Sequence, residues 1–195
     1  MQYIKGVENY KNDNKTAITL GKFDGLHLGH QLLISRVIEH QKQDKVDSVV
    51  FAFDMAPLYE KKNIAYDRLL TNEEKAAKLD GRVDYFVECP LVDSISKIEP
   101  EAFIEDILVN VFHAKYIVVG TDFRFGHNRR GDVQMLKEYS TKYGFQVEAI
   151  EKKQYQGRII SSTYIKEELK KGNVSVAEEL LGYEYFPAKN KLVSE

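Results

Sequence analysis

Apolar residues along this chain fall into two alternating rhythms. Short runs, apolar on both faces, recur at 17–20, 48–53, 84–87, 116–119 and 146–150. Between them lie longer stretches whose apolar residues stand three or four apart. The first rhythm is that of parallel strands buried on both sides, and the second that of helices with one buried stripe. The pattern predicts a strand over Ala17–Leu20, then a helix from about His30 to Gln43 that buries Leu33, Ile34, Val37 and Ile38. A second strand, Ser48–Phe53, is followed by an irregular, aromatic-dotted insertion from Asp54 to Leu70 that is expected to face a substrate. Thr71-Asn72-Glu73-Glu74 reads as a capping box opening a helix to about Leu79. A third strand follows at Asp84–Val87.

Pro100 suits the first turn of the next helix, which buries Phe103, Ile104, Ile107, Leu108, Val111 and Phe112. Strand Tyr116–Val119 ends at Gly120, and a polar loop over Thr121–Asp132 leads into a helix ending near Tyr143-Gly144. After strand Gln146–Ile150, Ser161-Ser162-Thr163 opens a helix closed by Gly172, and a capping box at Ser175–Glu178 opens a last helix ended by Gly182. Strand and helix alternate throughout. That predicts an α/β fold with a mainly parallel sheet of five to six strands and helices on both faces.

Composition narrows the picture. At 195 residues with 43% hydrophobic content, the chain suits one packed domain, or one with a small appendage. A net charge of −2 argues against a general nucleic-acid-binding surface. Cys89, beside Pro90, is the single cysteine and reads as a small buried hydrophobe, which excludes an internal disulfide and fits a reducing compartment. The first residues lack the apolar core of a signal peptide, and no apolar run is long enough to cross a bilayer. A cytoplasmic protein, bound to neither membrane nor nucleic acid, is expected.

In an open α/β sheet, ligands bind beyond the carboxyl ends of the strands, near the switch in strand order. Three rich loops fall there: Gly21–His30, Gly120–Asp132 and Arg158–Lys166. The first, Gly21-Lys22-Phe23-Asp24-Gly25-Leu26-His27-Leu28-Gly29-His30, joins a strand to a helix. Glycines let backbone approach a ligand, and the unpaired N–H groups of a helix start favour an anion. His27 and His30, three apart, can face one ligand and donate to phosphate oxygens, protonated or neutral. One capping and one packed histidine is the plainer alternative, and no Cys or carboxylate clearly completes a metal site with them. No Gly-Lys-Ser/Thr follows, so this is not a Walker A loop; nor is it Gly-x-Gly-x-x-Gly. Asp24 suits either a turn hydrogen bond or a contact with Mg²⁺ or a neighbouring N–H.

The second loop crowds Asp122, Arg124, Asn128, Arg129 and Arg130 around Phe123 and Phe125. It reads as a ligand wall, although the phenylalanines alone would also plug the end of a sheet. In the third, one hydroxyl suffices for a helix cap, while Ser161, Ser162 and Thr163 with Lys166 offer an anion site as well. Lys152, Lys153, Lys170 and Lys171 read as solvated; Tyr59, Tyr66 and Phe86 as core or rim; His40 and His113 as helical residues without assignment.

Taken together these segments resemble the FMN adenylyltransferase (FAD synthetase) domain of the bacterial bifunctional riboflavin kinase/FAD synthetase family. Gly21–Gln31 is similar to its first motif, Val118–Asp132 to its second, Ile160–Thr163 to its third and Ala177–Gly182 to the segment after it. The resemblance implies a Rossmann-like nucleotidyltransferase domain over residues 1–186. It implies the reaction ATP + FMN → FAD + pyrophosphate, with Mg²⁺ held mainly by substrate phosphates. It implies that His27 and His30 touch the ATP phosphates and that Ser162, Thr163 and Lys166 hold the β- and γ-phosphates. Gly21, Lys22, Phe23, Asp24, Gly25 and Gly29 would shape the nucleotide pocket, with Ser161 at the helix cap. Asp122, Phe125, Gly126, Asn128 and Arg129 would lie toward flavin and phosphate. Three positions depart from the family pattern: Lys22 stands where Asn is usual, Lys166 where Arg is usual, and Phe53-Asp54-Met55-Ala56-Pro57 replaces Phe-x-Pro-His-Pro. The last departure keeps open a catalytically weak flavin and adenine-nucleotide binder, and the first motif alone keeps open transfer to another phosphorylated substrate. Residues 187–195 fall where the family's riboflavin kinase domain begins; that domain is expected to be absent from these 195 residues, which leaves open either a piece of a longer protein that carries it or a natural single-domain form.

Overall fold

The apolar runs assemble into one parallel sheet. The computed structural model describes residues 1–186, so the expected tail at 187–195 lies outside the described residues. In chain order the strands are β1 (Gln2–Lys5), β2 (Thr16–Gly21), β3 (Asp47–Asp54), β4 (Tyr85–Pro90) and β5 (Ala114–Gly120). The short antiparallel pair β6 (Arg124–Phe125) and β7 (Gly131–Asp132) decorates the next loop, and β8 (Gln146–Ile150) completes the main sheet. A second short antiparallel pair, β9 (Gln154–Tyr155) and β10 (Arg158–Ile159), follows. The six main strands lie in the order β1-β4-β3-β2-β5-β8, all parallel. Strand order switches between β2 and β5, which places the loops after these two strands on either side of one crevice.

Alternation along the strands sorts the core. Ile18, Leu20, Val49 and Phe51 pack on one face against Phe103, Ile104, Leu108 and Leu136. These come from a helical segment, α5 (Pro100–Ala102) continuing through Phe103–Val111, and from α6 (Val133–Tyr143). The opposite face carries α1 (Leu28–Asp44) and α3 (Asn72–Leu79), whose Ile34, Val37 and Leu79 pack with residues of β2, β3 and β5. Helices α7 (Ser162–Lys170) and α8 (Val174–Leu181) form a satellite cluster with Leu69 and Ile160. Among the described residues no helix is long and apolar enough to cross a membrane.

Several expectations are corrected. β1 escapes the apolar pattern because it is an edge strand with exposed ends, Gln2 and Lys5. The stretch from Asp54 to Leu70 is not wholly irregular: it contains the short helix α2 (Ala56–Lys61), with Pro57 in its first turn. A second short helix, α4 (Asp93–Ser96), follows β4. The segment Phe103–Val111 is wound wider than an α-helix, as in the bond from Phe112 N–H to Ile107 O at 3.0 Å. The expected capping box at Ser175 is absent, because α8 already starts at Val174 after Asn173. His113 lies outside the helix, with φ of 47°.

His40, unassigned from sequence, is buried at 4% exposure and stacks on Tyr116 with centroids 3.8 Å apart. Its Nε2 meets Glu148 Oε1 at 2.7 Å, and Arg36 Nη2 donates to the same oxygen at 2.9 Å. Glu148→Ala strips a buried ring and a guanidinium of their shared acceptor. The expected result is a loss of about 2 kcal/mol in urea unfolding, with Glu148→Gln losing less.

Candidate functional site

The loop after β2 turns through backbone conformations that most residues avoid. Phe23, Gly25 and Leu26 have φ of 50°, 84° and 42°. At Gly25 a Cβ atom would lie 2.6 Å from Leu69 Cδ1, so the close approach also requires glycine. The loop's carbonyls explain what holds this shape. Lys22 O accepts from Lys75 Nζ at 3.2 Å, and Phe23 O from Leu26 N–H at 3.2 Å. Asp24 O accepts from Ser162 Oγ at 2.8 Å, and Gly25 O from Tyr183 Oη at 2.5 Å. Leu26 O and His27 O accept from Gln31, through Nε2 and the backbone N–H, each at 3.0 Å. Six successive carbonyls are thus occupied, one from within the loop by Leu26 and the others by groups from α1, α3, α7 and the segment after α8. With its negative ends taken up internally, the loop is left with the N–H groups of a helix start, the arrangement that receives anions.

His27 is the N-cap of α1, its Nδ1 accepting from the His30 N–H at 3.4 Å. The two rings stack, with centroids 3.6 Å apart and planes 19° from parallel. At Gly29 a Cβ would come within 3.2 Å of the His27 ring, so glycine keeps that ring in place. Burial pushes the His27 pKa down to about 4, against the pull of the Asp24 carboxylate. His30 is held well below the ordinary histidine range, first by burial, then by His27 and Lys75. Of the two charge states open from sequence, burial selects the neutral one. With Nδ1 of His27 accepting, the neutral ring carries its proton on Nε2.

Of the roles open to Asp24, the structure shows a contact with a backbone N–H, made to the insertion rather than within its own turn. Its Oδ1 accepts from the Leu69 N–H at 2.7 Å, and its Oδ2 pairs with Lys166 Nζ at 2.7 Å. It ties the insertion to the loop, and Lys166 also donates to Asp67 O at 2.5 Å. The three hydroxyls divide their work: Ser161 caps α7 by accepting from Tyr164 N–H, Ser162 braces Asp24 O, and Thr163 is exposed.

The second loop is partly structural. Phe125, expected at the flavin side, is buried at 3% exposure between Phe103 and Phe123. A Cβ at Gly131 would sit 2.6 Å from its ring, so the phenylalanine plugs the sheet end. Gly126, with φ of 70°, lies against Pro100, where a Cβ would be 2.7 Å from Pro100 Cγ. Arg124 pairs with Asp132, Arg130 with Glu99, and Asp122 with Lys152, which is therefore not merely solvated. Asn128 and Arg129 both adopt left-handed conformations, φ 53° and 58°. Arg129 and Lys166 act on the Lys22 ammonium, whose pKa is lowered by burial and then by these charges, with Asp24 opposing. One cation from each of the other two motifs thus lies within the electrostatic reach of Lys22.

Sequence reasoning passed over Lys75 and Tyr183. Lys75 sits in Asn72-Glu73-Glu74-Lys75, which reads as a solvated helix face, yet it is only 3% exposed. Its signal is Asn72 three residues earlier, whose Oδ1 accepts from Lys75 Nζ at 3.0 Å. Tyr183 follows the left-handed Gly182 that ends α8, a position where an apolar residue often packs back.

Comparison with known proteins fits this geometry. The family model described as FAD synthetase matches residues 9–164. A bifunctional riboflavin kinase/FMN adenylyltransferase of Buchnera aphidicola subsp. Acyrthosiphon pisum is 37% identical over 93% of this chain and 59% of its own length. The Escherichia coli K12 protein of the same description is 31% identical over 95% of this chain and 60% of its own. An FAD synthetase of Listeria monocytogenes is 31% identical over 90% of this chain and 72% of its own. The chain thus spans about six-tenths of the length of the bifunctional relatives. A crystal structure described as a macrolide-efflux protein from Streptococcus pneumoniae superposes with a TM-score of 0.82, covering 95% of this chain and 63% of that one. At 24% identity that likeness speaks for the fold alone.

Proposed function

The chain belongs to the FAD synthetase family, and from that premise we propose that it transfers the adenylyl group of ATP to FMN, giving FAD and pyrophosphate. The observation that carries this reading is the loop Lys22–His27, whose carbonyls are all occupied internally while two neutral imidazoles and a helix start remain for phosphate. In the proposed step an oxygen of the FMN phosphate attacks the α-phosphorus of ATP in line. The bond from that phosphorus to the bridging oxygen breaks, and pyrophosphate leaves with the electron pair. The FMN phosphate is already ionised at neutral pH, so no strong base is required. Catalysis is then positioning and charge stabilisation. His27 and His30 would donate to the phosphates, and Lys22, Arg129 and Lys166 would offset their charge. For Lys166 this means sharing its ammonium between Asp24 and the nucleotide. Ser162 and Asp24 act from behind the loop.

Mg²⁺ enters this scheme with the nucleotide. Among the described residues no three His, Cys, Asp or Glu side chains gather closely enough to hold a metal ion, and both Asp24 oxygens are engaged. No step is routed through the ion. A cytoplasmic location follows from the reading as part of the proposal.

Segment Asp54–Pro57 supports a second reading, a weak or inactive binder of flavin and adenine nucleotides. Met55 and Ala56 stand there where the family has Pro and His, and Asp54 Oδ1 caps the Ala56 N–H at 3.0 Å to open α2. The two readings separate in one assay: the chain with ATP, Mg²⁺ and FMN, products resolved by chromatography. Repeated turnover to FAD with equimolar pyrophosphate is expected. Binding of both nucleotides without FAD would favour the second reading.

A further inference from the structure

We propose that Lys75 is a positioning residue of this site: its buried ammonium pins the Lys22 carbonyl behind the nucleotide loop, and its charge sets the field in which His30 works. A lysine on a short helix is ordinarily solvated, because burying an ammonium is costly unless it is paired. Here the side chain is 3% exposed, and Nζ donates to Lys22 O at 3.2 Å and to Asn72 Oδ1 at 3.0 Å. The helix that carries it is held in place by the reciprocal Thr71–Glu74 capping box, with Thr71 N–H donating to Glu74 at 2.6 Å. Lys75 therefore joins a fixed element to the first residue of the loop whose carbonyls must face away from phosphate.

Its electrostatic setting reaches both histidines' surroundings. Burial lowers the Lys75 pKa most; Asp24 from the loop, Asp54 from the end of β3 and Glu88 from β4 attract the ammonium against it, while Arg68 adds to the lowering. Glu88 is itself buried and accepts from Tyr3 Oη. His30 faces His27 and Phe23 from the loop, with Lys75 acting on it from α3. His27 in turn lies in the fields of Asp24 and Lys152. Burial and His27 already hold the His30 ring neutral, and the positive charge of Lys75 adds to them, so that the ring accepts or donates as a neutral group beside an anionic ligand.

The test uses Lys75→Met and Lys75→Gln. The first removes charge and donor, and the second removes the charge but retains an N–H for Lys22 O. Imidazole signals of His27 and His30 are followed by NMR against pH, and kcat and KM for ATP are measured on the same samples. In both variants His30 should protonate at a higher pH than in the unaltered protein. Lys75→Met should lower kcat about tenfold with a smaller change in KM, and Lys75→Gln should recover most of that loss. The kcat arm rests on the adenylyl-transfer reading, whereas the titration arm does not. A protein that forms no FAD but shows the titration shift sinks that reading and keeps the field of Lys75. Lowered melting temperatures with the His30 titration unmoved in both variants would overturn the proposal.

Discussion

Replacing His27 or His30 with Ala lowers kcat for FAD formation by about two orders of magnitude or more. The size follows from what each ring offers. A preorganised donor aimed at developing phosphate charge is worth roughly 3–4 kcal/mol when removed. These rings are preorganised by stacking at 3.6 Å and by the cap from His27 Nδ1 to the His30 N–H. They are also neutral, so they donate without placing a cation in a buried site. His27 has a second job as the α1 cap, and its loss costs about 1 kcal/mol of stability. His27→Asn restores a capping oxygen and separates the two effects: the fold should recover its stability while kcat stays low. Losses under about threefold in both alanine variants would refute the assigned roles.

Acid should destabilise the fold through His27 before most carboxylates titrate. Unfolded, its imidazole has the ordinary pKa near 6.5; folded, it is held at about 4. Below the ordinary value the unfolded chain takes up a proton that the native site refuses. The unfolded state then binds more protons, and stability falls as pH falls. Above about pH 6.5 the ring is neutral in both states and the effect vanishes. Across the window from 6.5 down to about 4 the loss from His27 amounts to about 3 kcal/mol. His30, also lowered, adds in the same direction. Urea unfolding at about pH 7 and pH 4 should therefore show a markedly smaller decline for His27→Gln than for the unaltered protein. Equal declines would mean that the ring is not buried neutral.

Central strands were legible because burial on both faces leaves no choice of residue: β2, β3 and β5 carry continuous apolar runs. β1 was not, since an edge strand tolerates polar ends. The box at Ser175 misled because Asn173 and Gly172 start the turn earlier, with Val174 N–H bonded to Gly172 O at 3.0 Å. In the site, Gly21–His30 was legible because its glycines and histidines have few other reasons to occur together. The second loop was less so. Phe125 offers the same letters to a ligand or to a core, and only packing against Phe103 decides. Asn72 three residues earlier is the one local hint of Lys75, whereas the neutral state of the histidines depends on burial by distant segments, which no local pattern encodes. Tyr183 reaches back to Gly25 across most of the chain.

The most direct test of adenylyl transfer is to follow the α-phosphate of ATP. With ATP labelled at the α-phosphorus, Mg²⁺ and FMN, the account predicts that label appears in FAD, one per flavin, while the β- and γ-phosphates leave together as pyrophosphate. Label remaining in ATP, ADP or AMP, with no labelled flavin formed, would contradict it.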